Sequence, residues 1–437
     1  MNYSEALAFI HSTLRFGSKP GLGCIRGLLG RMGDPQRGMR FVHVAGTNGK
    51  GSTCAAVASV LQRAGYRTGL YISPYIEDFC ERIQIDGQPV AHDNLARLTA
   101  ELRPLAEAEY PAGGGEEGAG TRRPTEFELI TALAFRYFKE RKCDVVVLEV
   151  GLGGRLDATN VIDTPLVSVI ASISYDHMQI LGNTLTAIAG EKCGIIKPDG
   201  FTVSSPGQDP EALAVIMEHC ARTGNTLTIP NLAGARVREE SIAGTKLVYR
   251  GTELFLPLCG RHQVANFLTA YEALDILRTH RGFDIPESAV VDGFAAVRFP
   301  ARMEILHRRP LVILDGAHNP AGAATLADSI DRFLGGRPVT MIAGVLADKE
   351  YRKVLPPLAR RAARFIAVRP DSPRALPPEQ ACREAASCCP AAVWYDDYGR
   401  AFDDALAHTP ADGVVLVCGS LYLAGPMRRL IRKYYAA

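Results

Sequence analysis

Apolar residues recur along this chain in short blocks, and polar or glycine-rich turns separate the blocks. The run Val145-Val146-Val147-Leu148 is apolar at every position, which is typical of a strand covered on both faces in a parallel sheet. Such blocks alternate with helical segments, so the pattern predicts a doubly wound, mostly parallel α/β fold. The predicted strands are 41–44, 68–72, 144–150, 166–172, 201–204, 311–315, 339–344, 364–368, 392–395 and 414–418.

The alternation runs in two series, which predicts two domains in a chain of 437 residues. We expect a larger α/β domain over 1–297 and a compact Rossmann-like α/β domain over 298–437, with a hinge near 297–302. Residues 235–258 alternate polar and apolar positions around two turns, which predicts a small antiparallel sheet in the first domain. The glycine-rich stretch 111–124 predicts a surface insertion.

The run 41–53, FVHVAGTNGKGST, changes from an apolar strand to a glycine-rich turn and then to a helical segment. Glycines let backbone N–H groups converge on phosphate oxygens, the helix N-terminus adds partial positive charge, and Lys50 adds a full charge. The turn therefore predicts a nucleoside-triphosphate site. The match to a Walker A loop is imperfect, because the spacing before Gly49-Lys50 is short and Gly51 precedes Ser52. An ordinary strand–helix turn stays an alternative.

Polar side chains follow several other predicted strands, where open α/β sheets bind ligands. Glu149 ends a fully apolar strand, and a buried carboxylate is costly unless it meets a cation, which beside a phosphate loop would be Mg²⁺. Ser73 and His177 follow two other predicted strands of the same series. Asp315 and His318 follow the first strand of the second series. Structural roles stay open for these residues: a turn serine, a salt-bridged glutamate, a satisfied histidine or a helix cap.

Composition and charge exclude several classes of protein. Hydrophobic residues make up 47% of the chain and charged residues 22%, and a net charge of +2 gives no basic field for nucleic acid. The N-terminal segment does not resemble a signal peptide, and no apolar stretch is long enough to span a bilayer. The 11 cysteines are odd in number and scattered, which favours free thiols in a reducing compartment. We therefore expect a cytoplasmic protein, and a monomer, since nothing requires an oligomer.

The chain carries an ordered series of segments: GTNGKGS, SPYIEDFCERIQIDG, TEFE, EVGLGGRLDATN, SYDHMQILG, EKCGIIK, GRHQVAN, FPARMEI, ILDGAHNP, AGVLADKEY and CGSLYLA. Over nearly its whole length the chain thereby resembles the folylpolyglutamate synthases and dihydrofolate synthases of the Mur ligase superfamily. Such enzymes are ATP-dependent amide ligases, in which ATP phosphorylates a carboxylate and the α-amine of L-glutamate attacks the acyl phosphate. The resemblance implies this reaction on dihydropteroate and on tetrahydrofolate (poly)glutamates, with release of ADP and phosphate. It also makes 1–297 an ATP-binding domain of the Mur ligase central type and 298–437 a glutamate-ligase domain.

The resemblance further implies which residues act. For ATP they are Asn48, Gly49, Lys50, Gly51, Ser52, Asn266, Arg302 and Asp315. For two Mg²⁺ sites they are Ser52, Ser73, Glu149, His177 and Lys192, with Lys192 carbamylated so that it becomes an anionic ligand. The catalytic set is Lys50, Glu149, His177, Lys192, His318 and Ser420. For the folate they are Gly21, Leu22, Gly23, Thr125, Phe127, Leu156, Asp157 and Ala158.

Three other functions stay open at this stage. A monofunctional folylpolyglutamate synthase is one, although Ala158 in the segment LDATN favours the dual activity. Another Mur-type amino-acid ligase is the second, but only about 40 residues precede the loop, too few for the UDP-binding domain of a peptidoglycan ligase. A nucleotide-dependent switch is the third, and the chain has no Asn-Lys pair for reading guanine. Cys80 stands where asparagine is common in related loops, which puts that loop's substrate contacts in question.

Overall fold

The computed structural model describes residues 1–13, 21–109 and 124–436. The insertion predicted at 111–124 lies outside these residues, apart from Pro124. Two large sheets and one small sheet form the frame, and helices pack on both faces of each large sheet. None of the helices in the described ranges combines the length and the apolar character that crossing a membrane requires.

The first large sheet has eight strands in the order β4-β3-β2-β5-β1-β6-β7-β8. Its strands are β1 (Phe41–Ala45), β2 (Thr68–Tyr71), β3 (Ile83–Ile85), β4 (Gln88–Pro89), β5 (Val145–Glu149), β6 (Val167–Ile170), β7 (Phe201–Ser204) and β8 (Thr226–Thr228). The β2–β3 and β3–β4 pairs of this sheet are antiparallel, and its other pairs are parallel. Both neighbours of β1 run parallel to it, with Val44 opposite Glu149 and Ala45 opposite Ile170, so the carboxyl ends of β5, β1 and β6 share one edge.

The apolar run in β5 serves two hydrophobic cores at once. Val145 and Val147 pack into the cluster on one face of the sheet, while Val146 and Leu148 pack into the cluster on the other. Alternate residues of a strand point to opposite faces, so a strand covered on both faces must be apolar throughout. The helices of this part of the chain are α1 (Tyr3–His11), α2 (Gly23–Arg31), α3 (Lys50–Arg63), α4 (His92–Glu109), α5 (Glu126–Glu140), α6 (Met178–Leu181), α7 (Leu185–Cys193), α8 (Pro210–Arg222), α9 (Arg261–His280) and α10 (Glu287–Ala296).

A small antiparallel sheet lies where the polar–apolar alternation predicts it. It consists of β9 (Arg236–Ser241), β10 (Gly244–Tyr249) and β11 (Thr252–Leu256), with β10 in the middle. Its apolar face joins the core cluster that also contains residues of α3, α9 and α10. The small sheet therefore shares its core with the first large sheet, while Glu240 of β9 also pairs with Arg332 of the helix Pro320–Phe333.

The second large sheet has six strands in the order β12-β13-β17-β14-β15-β16. Its strands are β12 (Glu304–Arg308), β13 (Leu311–Leu314), β14 (Val339–Ala343), β15 (Arg364–Val368), β16 (Ala392–Tyr395) and β17 (Val414–Cys418), and its helices are α11 (Pro320–Phe333), α12 (Tyr351–Ala359), α13 (Pro378–Ala386), α14 (Tyr398–Ala407) and α15 (Leu421–Ala436). All pairs are parallel except β12 with β13. The domain boundary between residues 297 and 298 stays a prediction.

The structure confirms the predicted fold class and contains a strand within each predicted strand segment. Four strands went unpredicted, namely β3, β4, β8 and β12. They are short or lie at sheet edges, where half-exposed residues weaken the apolar signal. Helix α3 begins at Lys50, inside the glycine-rich turn.

Candidate functional site

The glycine-rich loop between β1 and α3 is tightly enclosed. Gly49 precedes the helix with φ of +86°, a left-handed conformation that favours glycine. A side chain at Gly49 would meet Asn266 Oδ1 at 2.2 Å, and one at Gly51 would meet Phe299 Cζ at 2.5 Å. The first N–H groups of a helix have no partner within it, so the start of α3 offers donors to an anion.

Two lysine ammonium groups converge on one carbonyl oxygen of this loop. Lys50 Nζ donates to the oxygens of Gly46 and Thr47 at 3.2 Å each, and Lys192 Nζ donates to Gly46 O at 2.9 Å. Lys192 lies on α7 and is buried. Burial, and then the charge of Lys50, lower the pKa of Lys192 from 10.5 to about 7. The pair concentrates positive charge at the loop, as an oligophosphate site requires.

Glu149 supplies a buried carboxylate beside this positive charge. It ends β5, and its Oε2 accepts a hydrogen bond of 2.9 Å from the backbone N–H of Ser73. Burial raises its pKa, while the charge of Lys50 opposes that shift. Ser52, also buried, lies in the first turn of α3. A buried carboxyl group that shares this sheet edge with Ser73 and with the start of α3 suits a divalent cation, which gathers carboxylate and neutral oxygen ligands.

A polar network links this edge of the first sheet to the second sheet. Asp176 follows β6, and its Oδ1 accepts from Lys349 Nζ at 2.5 Å. Asn319 Nδ2 donates to Asp176 Oδ2 and to Asn48 Oδ1, each at 3.1 Å. His177 Nε2 lies 3.3 Å from Lys349 Nζ. Burial and the charge of Lys349 lower the pKa of His177 to about 4 against the charge of Asp176, so the ring is neutral at pH 7.

Asn266 closes the loop from the side of α9. Its Nδ2 donates to Gln263 Oε1 at 2.9 Å, and both side chains are buried. Its oxygen occupies the space that a side chain at Gly49 would need. Asn266 is therefore packed directly against the predicted phosphate loop.

On the side of the second sheet, Asp315 follows β13 and fixes the turn around it. Its carboxylate accepts from the backbone N–H groups of Met303 at 2.9 Å and Ala317 at 2.8 Å. Burial raises the pKa of Asp315, and the charge of Arg302 opposes that shift. The Arg302 guanidinium lies 5.5 Å from the centre of the Phe299 ring. The turn thus holds a buried carboxyl group and a guanidinium close together.

His318 and Ser420 lie at the carboxyl ends of β13 and β17, which are neighbours in the second sheet. His318 Nδ1 is 2.9 Å from Gly316 O, a contact that makes Nδ1 the protonated nitrogen of the neutral ring. Burial lowers the pKa of His318 to about 4, with Lys349 adding to the shift. Ser420 Oγ accepts from the N–H of Tyr422 at 3.2 Å, at the start of α15.

The residues predicted to contact folate form a separate group. Leu22, Phe127 and Ala158 belong to one apolar cluster, and Leu156 is half-buried nearby in sequence. Gly21 and Gly23 stand at the start of α2, with open space where side chains would be. The cluster brings the early loop, α5 and the turn after β5 together.

Two members of that group are engaged by their own chain. Thr125 caps α5 in a reciprocal pair with Glu128. Asp157 accepts from the N–H groups of Leu152 at 2.9 Å and Thr159 at 3.0 Å, and also from the Thr159 hydroxyl. Their local role is to shape the two turns. Sequence patterns at helix starts point to this role, because Thr125 and Glu128 have capping-box spacing.

A cavity of about 260 Å³ lies between the two large sheets. Gly51, Ser73 and Glu149 line it from the first sheet, and Arg302 and Leu421 line it from the second. Its wall also contains residues that the sequence reasoning did not select, among them Glu81, Gln84, Arg298 and Phe299. Lys349 and Asn319 were missed in the same way. Their position just after strands β14 and β13 is the signal that would have identified them.

Comparisons with known proteins decide the family. The Mur ligase middle domain model matches residues 44–274, and the model of the Mur ligase glutamate ligase domain matches residues 301–421. The dihydrofolate synthase/folylpolyglutamate synthase of Bacillus subtilis is 36% identical over 437 residues, covering 98% of this chain and 99% of that protein. The chain belongs to the dihydrofolate synthase/folylpolyglutamate synthase branch of the Mur ligase family.

Other members of this Mur ligase branch agree in sequence and in fold. The folylpolyglutamate synthase of Lacticaseibacillus casei is 37% identical, over 99% of both chains. The structure of the Mycobacterium tuberculosis folylpolyglutamate synthase complexed with ADP superposes with a TM-score of 0.87, at 31% identity over 98% of both chains. A solved complex of a folylpolyglutamate synthase with AMPPCP and folate gives a TM-score of 0.84 at 34% identity, over 99% of this chain and 100% of that one.

Proposed function

We propose that this Mur ligase joins L-glutamate to dihydropteroate and to tetrahydrofolate (poly)glutamates, using ATP and releasing ADP and phosphate. The observation that carries the proposal is the meeting of Lys50, Lys192 and Glu149 at one sheet edge, beside a cavity that both sheets line. Relatives named for this activity, and relatives solved with ADP, AMPPCP and folate, support it. The chain is accordingly an ATP-dependent carbon–nitrogen ligase.

ATP would lie along the loop Asn48-Gly49-Lys50-Gly51-Ser52. Lys50 and the start of α3 would hold its phosphates, because both direct positive charge at the same point. Asn266 would contact the nucleotide from α9, and Arg302 and Asp315 would contact it from the second sheet. The reactants would thus be enclosed between the domains 1–297 and 298–437, and enclosure excludes water that would otherwise hydrolyse an acyl phosphate.

Two Mg²⁺ ions fit the donor groups at this edge. Ser52, Ser73 and Glu149 would hold one, and His177 and Lys192 would hold the other. The neutral ring of His177 is in the form that binds a cation, and a bound dication would favour the ionised form of the buried Glu149 carboxyl group, whose pKa burial raises. When bound, such ions neutralise charge on the phosphates.

Lys192 can bind the second Mg²⁺ ion only as a carbamate, because an ammonium group has no lone pair for a cation. A pKa of about 7 leaves much of its amine neutral at physiological pH. The neutral amine attacks CO₂, an N–C bond forms, and one proton leaves to solvent. The product is an anion, which suits the cluster of positive charge formed by Lys50 and the metal ions.

The reaction itself would be positioned by residues of both sheets. The substrate carboxylate takes the γ-phosphoryl group of ATP, and the α-amine of glutamate then displaces phosphate from the acyl phosphate. His318 and Ser420 would bind on the glutamate side, from the carboxyl ends of β13 and β17. Binding and orientation supply most of the rate, since phosphoryl transfer needs little covalent help from the protein.

The folate would contact Gly21, Leu22, Gly23, Thr125, Phe127, Leu156, Asp157 and Ala158. The hydrogen bonds already made by Asp157 and Thr125 indicate that these two shape the turns around the ligand, while Phe127 and Leu22 offer apolar surface. The small side chain of Ala158 leaves room for a pterin. We assign both activities to one site on this basis.

An assay with ATP, Mg²⁺ and L-glutamate, run separately on dihydropteroate and tetrahydrofolate, tests the proposal. We expect ADP and phosphate in equal amounts with the new amide, on both acceptors. Release of AMP and pyrophosphate would contradict acyl-phosphate chemistry. Extension of tetrahydrofolate alone would identify the monofunctional alternative, which the name of the L. casei relative favours. Size-exclusion chromatography tests the proposed monomer, and the 11 free cysteines support the proposed cytoplasmic location.

A further inference from the structure

A group of metal-ligand side chains lies apart from the phosphate loop, near the segment that joins β2 to β3. Asp78 and Cys80 belong to that segment, and His92 begins α4. One ligand atom from each lies within 4.8 Å of the others. His92 Nε2 is 2.8 Å from Asp78 Oδ2. Three groups that differ in chemistry but share an ability to bind metal are therefore brought to one point.

Tyr3 adds a fourth oxygen at the same place. Its hydroxyl donates to Asp78 Oδ1 at 3.1 Å and also hydrogen-bonds the Cys80 thiol. Its ring stacks on the His92 ring, with centroids 3.7 Å apart and planes 6° apart. The set of one sulfur, one imidazole nitrogen and oxygen donors matches the ligands that Zn²⁺ takes, and it is unlike the all-oxygen sets of Mg²⁺ or Ca²⁺.

We propose that Asp78, Cys80 and His92, completed by Tyr3 or water, bind one Zn²⁺ or similar transition-metal ion. Tetrahedral zinc bonds of about 2.0–2.3 Å place the ligand atoms roughly 3.3–3.6 Å from one another. This inference concerns a site away from the ligase reaction and does not rest on the proposed function.

The surroundings of Cys80 suit a bound dication. Cys80 is buried, and its sulfur lies within 4.8 Å of a carboxylate oxygen of Asp78 and a ring nitrogen of His92. A dication would replace the thiol proton and balance both negative charges. The backbone here is already ordered, because the Glu81 carboxylate accepts from the N–H groups of Ile76 at 2.7 Å and Asp78 at 3.0 Å. Such preorganisation reduces the entropy lost on binding.

The segment that would carry the metal also contacts the second sheet's last helix. Glu77 Oε1 lies 2.9 Å from Arg428 Nη1, and Glu77 O accepts from Arg429 Nη1 at 3.1 Å. Gly425 on α15 has no room for a side chain, because one would meet Ile76 O at 1.9 Å. A metal at Asp78 would therefore tie α1, α4 and this interdomain contact together.

Cobalt substitution tests the site directly. The full-length chain, free of any affinity tag and treated with a chelator, is titrated with CoCl₂. We expect a thiolate-to-cobalt charge-transfer band that saturates at one equivalent and is displaced by ZnCl₂. Cys80→Ser should abolish the band, and His92→Ala should lower the affinity for cobalt by at least about 100-fold. Cys382→Ser, which changes a half-buried thiol on α13, is the matched control and should keep the band.

Metal-free circular dichroism and thermal unfolding verify that the variants fold. His92 is exposed, so His92→Ala preserves the test if Cys80→Ser does not fold. Zinc should raise the thermal midpoint of the unaltered chain but not that of His92→Ala. Absence of a thiolate band at stoichiometric cobalt, or a band of full intensity in Cys80→Ser, would overturn the proposal. The second result would place the cobalt on another cysteine, such as Cys54 near Glu149.

Discussion

The ammonium of Lys349 lies 2.5 Å from Asp176 Oδ1, and this ion pair joins the two large sheets. Both side chains are nearly buried, with 10% and 11% of their surfaces exposed, so solvent screens the pair weakly. The same ammonium lies 3.3 Å from His177 Nε2. Lys349 therefore contributes both to the contact between the sheets and to the lowered pKa of the candidate metal ligand His177.

Replacing Lys349 with Met should change the titration of His177 and weaken the domain contact. Lys349 lowers the pKa of His177, so its removal should raise that pKa from about 4, which an NMR titration of the imidazole would measure. The nearly buried Asp176 loses its ion-pair partner and keeps the hydrogen bond from Asn319, and we expect the free energy of unfolding to fall by up to about 3 kcal/mol. Lys349→Met combined with Asp176→Asn should recover part of that loss. An unchanged His177 pKa in Lys349→Met would contradict this account.

Lys50→Ala should reduce turnover by on the order of 1,000-fold, because it removes a charge directed at the transferring phosphates. It should also raise the pKa of Lys192 above about 7, since Lys50 contributes to lowering it. Steady-state release of ADP measures the first effect. Lys246→Ala removes an exposed lysine on the small sheet and should leave turnover unchanged. Near-normal turnover in Lys50→Ala would rule out the proposed phosphate contact.

Much of the fold was predictable because its signals are local. The uniformly apolar run of β5 is typical of a strand covered on both faces. The glycines of the loop mark the turn into α3. The two-residue strand β4 gives no such signal, since both of its residues are exposed. Edge strand β12 is half-buried and mixes Glu304 and His307 with apolar residues, so alternation is obscured.

From local patterns alone, the candidate site was predictable where a residue follows its own strand, whereas Lys192 and Asn266 lie on helices and were predicted only through the family resemblance. Glu149 and Asp315 stand out as carboxylates after apolar strands, and the structure buries both. The pairing of Lys349 with Asp176 depends on how two sheets meet, which no local pattern encodes. The hydrogen bonds of Asp157 are local, yet a polar residue beside a glycine turn has the same pattern whether it binds a ligand or caps a turn.

Lys192→Met should abolish most activity and yet stabilise the chain in CO₂-free buffer. The folded pKa of Lys192 is about 7 and the ordinary value is 10.5. Between these values the unfolded chain binds more protons than the folded chain, so the free energy of unfolding rises with pH. Burying the charged Lys192 therefore lowers the free energy of unfolding by its full amount below pH 7, and this destabilisation disappears as the pH approaches 10.5. We expect the free energy of unfolding of Lys192→Met to exceed that of the unaltered chain by roughly 2–4 kcal/mol at pH 6, and by less at pH 10.

Urea unfolding at the two pH values measures that gap, and Lys246→Met is the exposed control. A gap that does not change with pH would show that Lys192 is not titrating near neutrality. Carbamylation has its own measurement, because ¹³C-labelled bicarbonate should give a carbamate carbon signal that Lys192→Met lacks. Its absence from fully active protein would remove Lys192 from the metal ligands.

Gly51→Ala should disturb the cavity between the sheets through one ring. The new methyl group would lie 2.5 Å from Phe299 Cζ, so the ring must move away from α3. Gly51 and Phe299 both line the cavity, and a displacement of about 1 Å there should lower kcat/KM by about 100-fold. Combining Gly51→Ala with Phe299→Ala removes the clash and should recover part of the lost kcat/KM. The double variant should therefore be more active than the summed effects of the two single changes predict. Gly30→Ala on α2 has open space around the new methyl group and should leave the kinetics unchanged. If Phe299→Ala fails to relieve Gly51→Ala, the glycine is required for the approach of the phosphates themselves rather than for the packing of the ring.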